Sequence, residues 1–236
     1  MLKILITDPL SKEGINTLTA SGFEVIYKPK SSKDELVSFV SNIDGWIIRS
    51  GTKIDNKLLD EANKLQIIGR AGVGTDNIDI ETATKKGIVV MNVPDGNTIS
   101  AAEHTLAMIL SLSRNIYAGH AGLLKGEWNR SLLVGNELRN KTLGVVGLGK
   151  IGREVIKRSI SYDMHILGYD PYVNEDEFIK DEVKVVDLDY LIENSDFITL
   201  HLPINDNTRD LFDYSKILKM KKNARLINVA RGGIIN

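Results

Sequence analysis

The sequence predicts an α/β protein built as two doubly wound parallel sheets, and three observations predict it. Short apolar runs alternate along the 236 residues with stretches whose apolar residues recur at helical spacing. The runs end in clusters such as Arg49-Ser50-Gly51, Gly69 to Gly74 and Ala230-Arg231-Gly232, the residue types that gather beyond the carboxyl ends of strands. One stretch, Thr142 to Asp170, reads as strand, glycine turn, helix, strand, acid. Composition agrees with a globular chain: 42% hydrophobic and 26% charged. A net charge of −1 gives no reason to expect a nucleic acid or an anionic membrane as partner. No apolar run has membrane-spanning length. The absence of cysteine excludes disulfides and thiolate metal ligands or nucleophiles, and no metal site is expected. The amino terminus MLKILITD runs straight into a strand without a cleavable leader pattern, so a cytoplasmic protein is expected.

Residues 1–93 form the first alternation. Lys3 to Thr7 is a strand. Ser11 opens a helix through Ile15 and Leu18 that Gly22 stops. Glu24 to Tyr27 is the next strand, and Ser32-Lys33-Asp34-Glu35 is a capping box ahead of Leu36, Phe39 and Val40. Gly45 to Ile48 is a strand, Leu58, Leu59 and Ala62 mark a short helix, and Gln66 to Ile68 is a strand. Ile80 to Lys86 is helical, and Ile88 to Val93 closes the unit before the turn Pro94-Asp95-Gly96-Asn97.

Residues 94–236 form the second. Ser100-Ala101-Ala102-Glu103 reads as a capping box opening a long helix through Leu106, Ile109 and Leu112. That helix is apolar on more than one face, as expected of a helix buried between domains or subunits. An extended arm, 119–141, follows, carrying Leu123, Leu124, Trp128, Leu132, Leu133 and Val134. A loop so long and so apolar is expected to wrap a second subunit. After the glycine unit come a strand at Val183 to Val186, a helix at Leu188 to Ile192, a strand at Phe197 to Leu202, a helix at Tyr214 to Met220 and a strand at Arg225 to Val229.

The glycine unit carries specific chemistry. Gly147 permits a tight turn, Gly149 lets a pyrophosphate approach the backbone, and Gly152 lets the helix pack close to the strand. The helix begins with unpaired N–H groups and a partial positive charge. Asp170 stands at the end of the second strand, where a carboxylate accepts the adenosine ribose hydroxyls and repels a 2′-phosphate. The cofactor expected is NAD.

The motifs IIRSGTKID (47–55), IIGRAGVGTDNID (67–79), VPDGNTISAAEHT (93–105), KTLGVVGLGKIGREV (141–155), GYDP (168–171), FITLHLP (197–203) and INVARGGIIN (227–236) resemble, in their order, those of the D-2-hydroxyacid dehydrogenase family. The resemblance implies a flavodoxin-like substrate-binding domain over 1–93 and a Rossmann NAD domain over 94–236, with an interdomain helix and a dimerisation arm. It implies NAD-dependent oxidation of 3-phospho-D-glycerate to 3-phosphohydroxypyruvate, the first step of serine biosynthesis, by a homodimer or larger homo-oligomer. Arg231 is then the catalytic arginine, which holds the substrate carboxylate and polarises the reacting carbonyl; a planar bidentate donor suits that task. The N–H groups of Val73 and Gly74 take the same carboxylate, and Arg49, Ser50 and Asn97 contact substrate, Arg49 at the phosphate. Lys150 and Ile151 meet the pyrophosphate, Leu202, Val229 and Ala230 line the nicotinamide side, and Val73 and Arg231 also bind the cofactor. Arg130 in the arm is a weaker candidate for a neighbour's phosphate site.

The family also uses a glutamate–histidine pair for acid/base work, after the Ala-Arg-Gly motif. None of the four histidines present, His104, His120, His165 and His201, matches that position. The expectation is therefore a carboxyl-terminally incomplete chain with little activity alone. Two alternatives stand beside the main reading: another D-2-hydroxyacid dehydrogenase, such as a glyoxylate or hydroxypyruvate reductase, and a non-catalytic NAD-binding relative.

Overall fold

The structure is a computed structural model that describes residues 1–173 and 183–236. Its first half runs β1 (Lys3–Ile6), α1 (Lys12–Ala20), β2 (Glu24–Tyr27), α2 (Lys33–Val40), β3 (Gly45–Ile48), α3 (Asn56–Glu61), β4 (Ile67–Arg70), α4 (Ile80–Lys85) and β5 (Val89–Asn92). The strands pair in parallel in the order β2-β1-β3-β4-β5, the flavodoxin-type order. Its core stacks Leu5, Trp46, Ile48 and Ile68 of the sheet against Leu36, Val40, Leu58 and Leu59 of the helices. Ser11, Ser32, Asp55 and Asp79 each accept a backbone N–H at the start of their helix, and the Ser32–Glu35 box is complete.

The second half runs α5 (Thr98–Ser113), α6 (Ile116–Leu124), a 3-10 turn (Arg130–Leu133), β6 (Thr142–Val146), α7 (Lys150–Ile160), β7 (His165–Tyr169), β8 (Val183–Val185), α8 (Leu188–Asn194), β9 (Phe197–Leu200), α9 (Tyr214–Lys219) and β10 (Arg225–Asn228). The sheet is again parallel, ordered β10-β9-β6-β7-β8. In chain order that is strand sequence 3-2-1-4-5, the Rossmann arrangement, with its reversal between β6 and β9. One core layer joins Ile109 of α5 and Val155 of α7 to Leu143, Val145 and Phe197. A second joins Val146, Ile198 and Leu200 to Leu191 and Ile192 of α8. Alternate residues of β6 thus serve opposite faces, as the period-2 geometry of a strand requires.

The strand limits fall within two residues of those expected. Two expectations need correction. The long helix begins at Thr98, so Ser100 lies inside it and makes no box; the turn at Pro94 to Asn97 starts the helix first. The arm is not extended from residue 119: Ile116–Leu124 is helical, separated from α5 by Asn115 in the left-handed conformation at φ 53°. The chain divides into two compact units, Met1–Asn97 and Thr98–Asn236. Among the described residues no helix is long and apolar enough to cross a membrane, and no group of three or more His, Asp and Glu is placed to hold a metal.

Candidate functional site

The informative residues lie beyond the carboxyl ends of the strands, and each unit is taken by itself. In the first unit the ends of β3, β4 and β5 are tied by carboxamide and carboxylate side chains. Asp8, buried after β1, accepts the N–H groups of Arg49 at 2.7 Å and Thr52 at 3.1 Å. Asn77 donates from Nδ2 to the carbonyls of Arg49 at 2.7 Å and Thr52 at 2.5 Å. Asn92 donates to the Val73 carbonyl at 2.7 Å, and the Val93 N–H donates to the Gly72 carbonyl at 2.9 Å. These bonds bring Arg49, Ser50, Val73 and Gly74 onto neighbouring loops. Arg49 and Ser50 are exposed, and no side-chain partner of Arg49 is found among the described residues. Asn97 is exposed in the turn before α5, away from these clamps in sequence.

In the second unit the glycine turn follows β6. Gly147 has φ 98°, and a Cβ there would stand 2.6 Å from the His201 carbonyl oxygen. The loops after β6 and β9 therefore meet at the strand reversal only because residue 147 is glycine. A Cβ on Gly152 would stand 2.1 Å from the Gly147 carbonyl oxygen, so α7 packs onto the turn through that second glycine. Gly149 differs. Its backbone is extended, and a Cβ would meet nothing within 4 Å. Nothing inside the protein requires glycine there, and no side chain caps α7.

Asp170 closes this cradle. Its Oδ2 accepts the Leu148 N–H at 2.9 Å and its Oδ1 accepts the Tyr172 N–H at 3.0 Å. Each carboxylate oxygen keeps a further lone pair for a ribose hydroxyl. Leu202 and Ala230 pack on one apolar cluster, Ile151 and Val229 on the other. The turn carrying Arg231 is folded by one side chain: Asn228 donates from Nδ2 to the Arg231 carbonyl at 2.8 Å and accepts the Ala230 N–H at 3.0 Å. The Arg231 guanidinium donates to the Ala230 carbonyl at 2.9 Å.

The histidines separate clearly. His104, His120 and His165 are exposed. The His201 ring is partly buried, with Nε2 3.1 Å from Thr199 Oγ1, and desolvation pushes its pKa down to about 4. It is neutral at pH 7 and a poor proton acceptor. Asp8, Asn77, Asn92 and Asn228 do structural work that sequence reasoning missed. Their only signal was an Asn or Asp near a strand end, where such side chains commonly bond backbone.

An exposed uncapped helix start, two close-packed glycines and a carboxylate at the end of the neighbouring strand fit a dinucleotide. The strand order and this turn define the second unit as a dinucleotide-binding domain of the Rossmann type. Residues 106–236 match the family model "D-isomer specific 2-hydroxyacid dehydrogenase, NAD binding domain". The chain belongs to the D-isomer specific 2-hydroxyacid dehydrogenase family, and the cofactor of this domain is NAD. It is 46% identical over 237 residues to a D-3-phosphoglycerate dehydrogenase of Methanocaldococcus jannaschii, covering 100% of this chain and 45% of that protein. It is 44% identical over 238 residues to the Bacillus subtilis protein of the same name, again over 100% of this chain and 45% of the relative. The chain thus spans about half the length of the curated relatives it matches. Among solved structures it resembles an NAD-dependent formate dehydrogenase from Staphylococcus aureus in complex with NAD, with TM-score 0.89 and 31% identity over 100% of this chain and 75% of that one. It also resembles the TT0316 protein of Thermus thermophilus, with TM-score 0.92 and 30% identity over 100% and 76%.

Proposed function

We propose that this chain supplies the substrate-binding and NAD-binding parts of a D-3-phosphoglycerate dehydrogenase, which oxidises 3-phospho-D-glycerate to 3-phosphohydroxypyruvate at the start of serine biosynthesis. The observation that carries the reading is the exposed Arg49 guanidinium after β3, clamped through its backbone by Asp8 and Asn77, in a chain closely similar to proteins of that name. A phosphate monoester supplies the paired anion that such an arginine favours.

Each remaining residue has a task in this reading. Arg231 and the N–H groups of Val73 and Gly74 hold the substrate carboxylate, and Arg231 polarises the reacting carbonyl. Ser50 and Asn97 assist Arg49 at the other end of the substrate. The first N–H groups of α7, from Lys150 and Ile151, face the pyrophosphate beside Gly147, Gly149 and Gly152, and Asp170 takes the ribose hydroxyls. Leu202, Val229 and Ala230 line the nicotinamide side and exclude water. NAD, when bound, accepts a hydride from the substrate carbon that bears the hydroxyl. His201 does not take the hydroxyl proton, because its surroundings disfavour the cation it would become.

The working unit is a cytoplasmic homodimer in this reading. The supporting surface runs from α6 through the 3-10 turn, where Tyr117, Leu124, Trp128, Leu132 and Val134 are 71–79% exposed. Arg130 is exposed on the same turn. The test is calorimetric titration of NAD, then of 3-phospho-D-glycerate and D-glycerate into the NAD complex. Binding that requires the phosphate, and that Arg49→Ala weakens about tenfold without changing NAD affinity, supports the assignment. Equal binding of the two acids transfers it to another D-2-hydroxyacid dehydrogenase.

A further inference from the structure

Arg153, one turn into α7, bonds twice to the turn that precedes its own helix. Its backbone N–H donates to the Gly149 carbonyl at 3.0 Å, which closes the first turn of the helix. Its side-chain Nε donates to the Leu148 carbonyl, also at 3.0 Å. Leu148, between the first two glycines of the motif, is thereby fixed from three directions. Its side chain is buried in the core. Its N–H donates to Asp170 Oδ2 at 2.9 Å. Its carbonyl accepts from Arg153.

The consequence is directional. A trans peptide unit is planar, so its N–H points opposite to its C=O. The carbonyls of Leu148 and Gly149 both turn along α7 towards Arg153. The N–H groups of Gly149 and Lys150 therefore point the other way, into the space before the helix, where a turn of this kind receives a pyrophosphate.

Glycine is the residue least able to keep such a direction by itself, because it loses the most conformational freedom on ordering. Gly149 has open space where a Cβ would stand, and no side chain caps the helix start. A turn left bare for a ligand needs an anchor from elsewhere. Arg153 supplies one from the carbonyl side of the peptide, so the N–H side stays open.

We propose that Arg153 is a positioning residue for the cofactor: by holding the Leu148 carbonyl it aims the Gly149 and Lys150 N–H groups at the pyrophosphate of NAD. Two variants separate the bond from the charge. A glutamine carries its amide nitrogen as many bonds from Cα as the arginine Nε, whereas a methionine carries a methyl group there. Both lack the guanidinium charge, and both are good helix formers.

The test is calorimetric titration of NAD and ADP into the 236-residue chain and its variants, with adenosine binding followed by amide ¹H–¹⁵N shifts. Arg153→Met should weaken NAD and ADP about tenfold and leave adenosine, which has no pyrophosphate, within about twofold. Arg153→Gln should restore NAD affinity to within about threefold of the parent chain. In the free chain, the Leu148 and Gly149 amides should exchange about tenfold faster in the methionine variant and recover in the glutamine one. Unchanged NAD affinity in Arg153→Met overturns the proposal. Equal weakening by methionine and glutamine also overturns it, because the guanidinium charge then acts on the phosphates directly. So does an equal loss for NAD, ADP and adenosine, which marks a residue that serves the fold of the domain alone. Amide exchange is read without ligand, so that arm stands apart from the cofactor assignment.

Discussion

The two units use the same architecture and finish their strand ends in different ways. In the first, α1 to α4 are each capped by a serine or aspartate, and the loops after β1, β3 and β4 are fixed by Asp8, Asn77 and Asn92. In the second, α8 and α9 are capped by Asp187 and Asp213, while α7 begins at Gly149 with no side-chain bond. A cap contributes about 1 kcal/mol. A chain that caps α1 to α4, α8 and α9 and leaves α7 bare forgoes stability at the helix start where the proposed pyrophosphate would supply the missing acceptors. The lesson is that side chains build the first unit's edge to present other side chains, whereas glycines build the second unit's edge to present backbone.

Acid should separate the units most strongly. The histidines lie in the second unit, and burial carries the His201 pKa down from the ordinary 6.5 to about 4. The unfolded chain therefore takes up this proton first as pH falls. The stability due to neutral His201 is complete above about pH 6.5 and is lost as pH falls towards 4, about 3 kcal/mol in all. The carboxylates whose folded pKa is depressed, Asp55 and Asp79 in the first unit and Asp196 in the second, lose their contributions only below about pH 4. Amide exchange at pH 5 should thus accelerate in β6 and β9 while β1 and β3, around buried Trp46, stay protected. Equal acceleration in both sheets would contradict this, and His201→Gln should flatten the second unit's response.

Next in size is Gly152→Ala, which drives a Cβ against the Gly147 carbonyl and should cost about 2–3 kcal/mol in urea unfolding of the second unit. The close packing behind that figure was legible from the G-x-G-x-x-G spacing alone, as were β3 and β6 to the residue, because buried parallel strands read as bare apolar runs. Other features were hidden for physical reasons. The helix α6 has two glycines and no buried residue, so neither propensity nor periodicity announces it. Ser100 misled because S-x-x-E is a local pattern, whereas a helix start is set by the turn before it. The near-neutral invisibility of His201 has the same origin: its desolvation comes from packing, which spacing does not encode. Of the candidate site, the strand-end positions of the glycines, Asp170 and Arg231 could be read directly, but the side chains that hold their loops could not, since an Asn is as ordinary in solvent as in a clamp.

Asn228 tests that hidden layer. Asn228→Ala removes both bonds that fold the Arg231 turn and should cost about 1–2 kcal/mol. Asn228→Asp keeps the acceptor for the Ala230 N–H and loses the donor to the Arg231 carbonyl. If the turn positions Arg231, substrate affinity falls in both variants and less in the aspartate one, with NAD affinity moving less than substrate affinity. A loss of stability with both affinities intact would make Asn228 a structural residue only.

The smallest effect on stability is the sharpest test of the contrast between the units. Gly149→Ser gives α7 the kind of cap that Ser11 and Ser32 give α1 and α2. The backbone at residue 149 is extended at φ −71°, as an N-cap requires, and a Cβ meets nothing within 4 Å. The substitution should therefore raise stability by about 0.5–1 kcal/mol, measured by urea midpoint. The same side chain would occupy the space in front of the helix and satisfy an N–H that the pyrophosphate otherwise takes, so NAD affinity should fall by about tenfold or more in calorimetry. A glycine kept for the fold behaves in the opposite way, as Gly152 should: its replacement lowers stability first. A Gly149→Ser protein that is more stable and binds NAD unchanged would show that the bare helix start serves no ligand, and the contrast between the two units would lose its functional meaning.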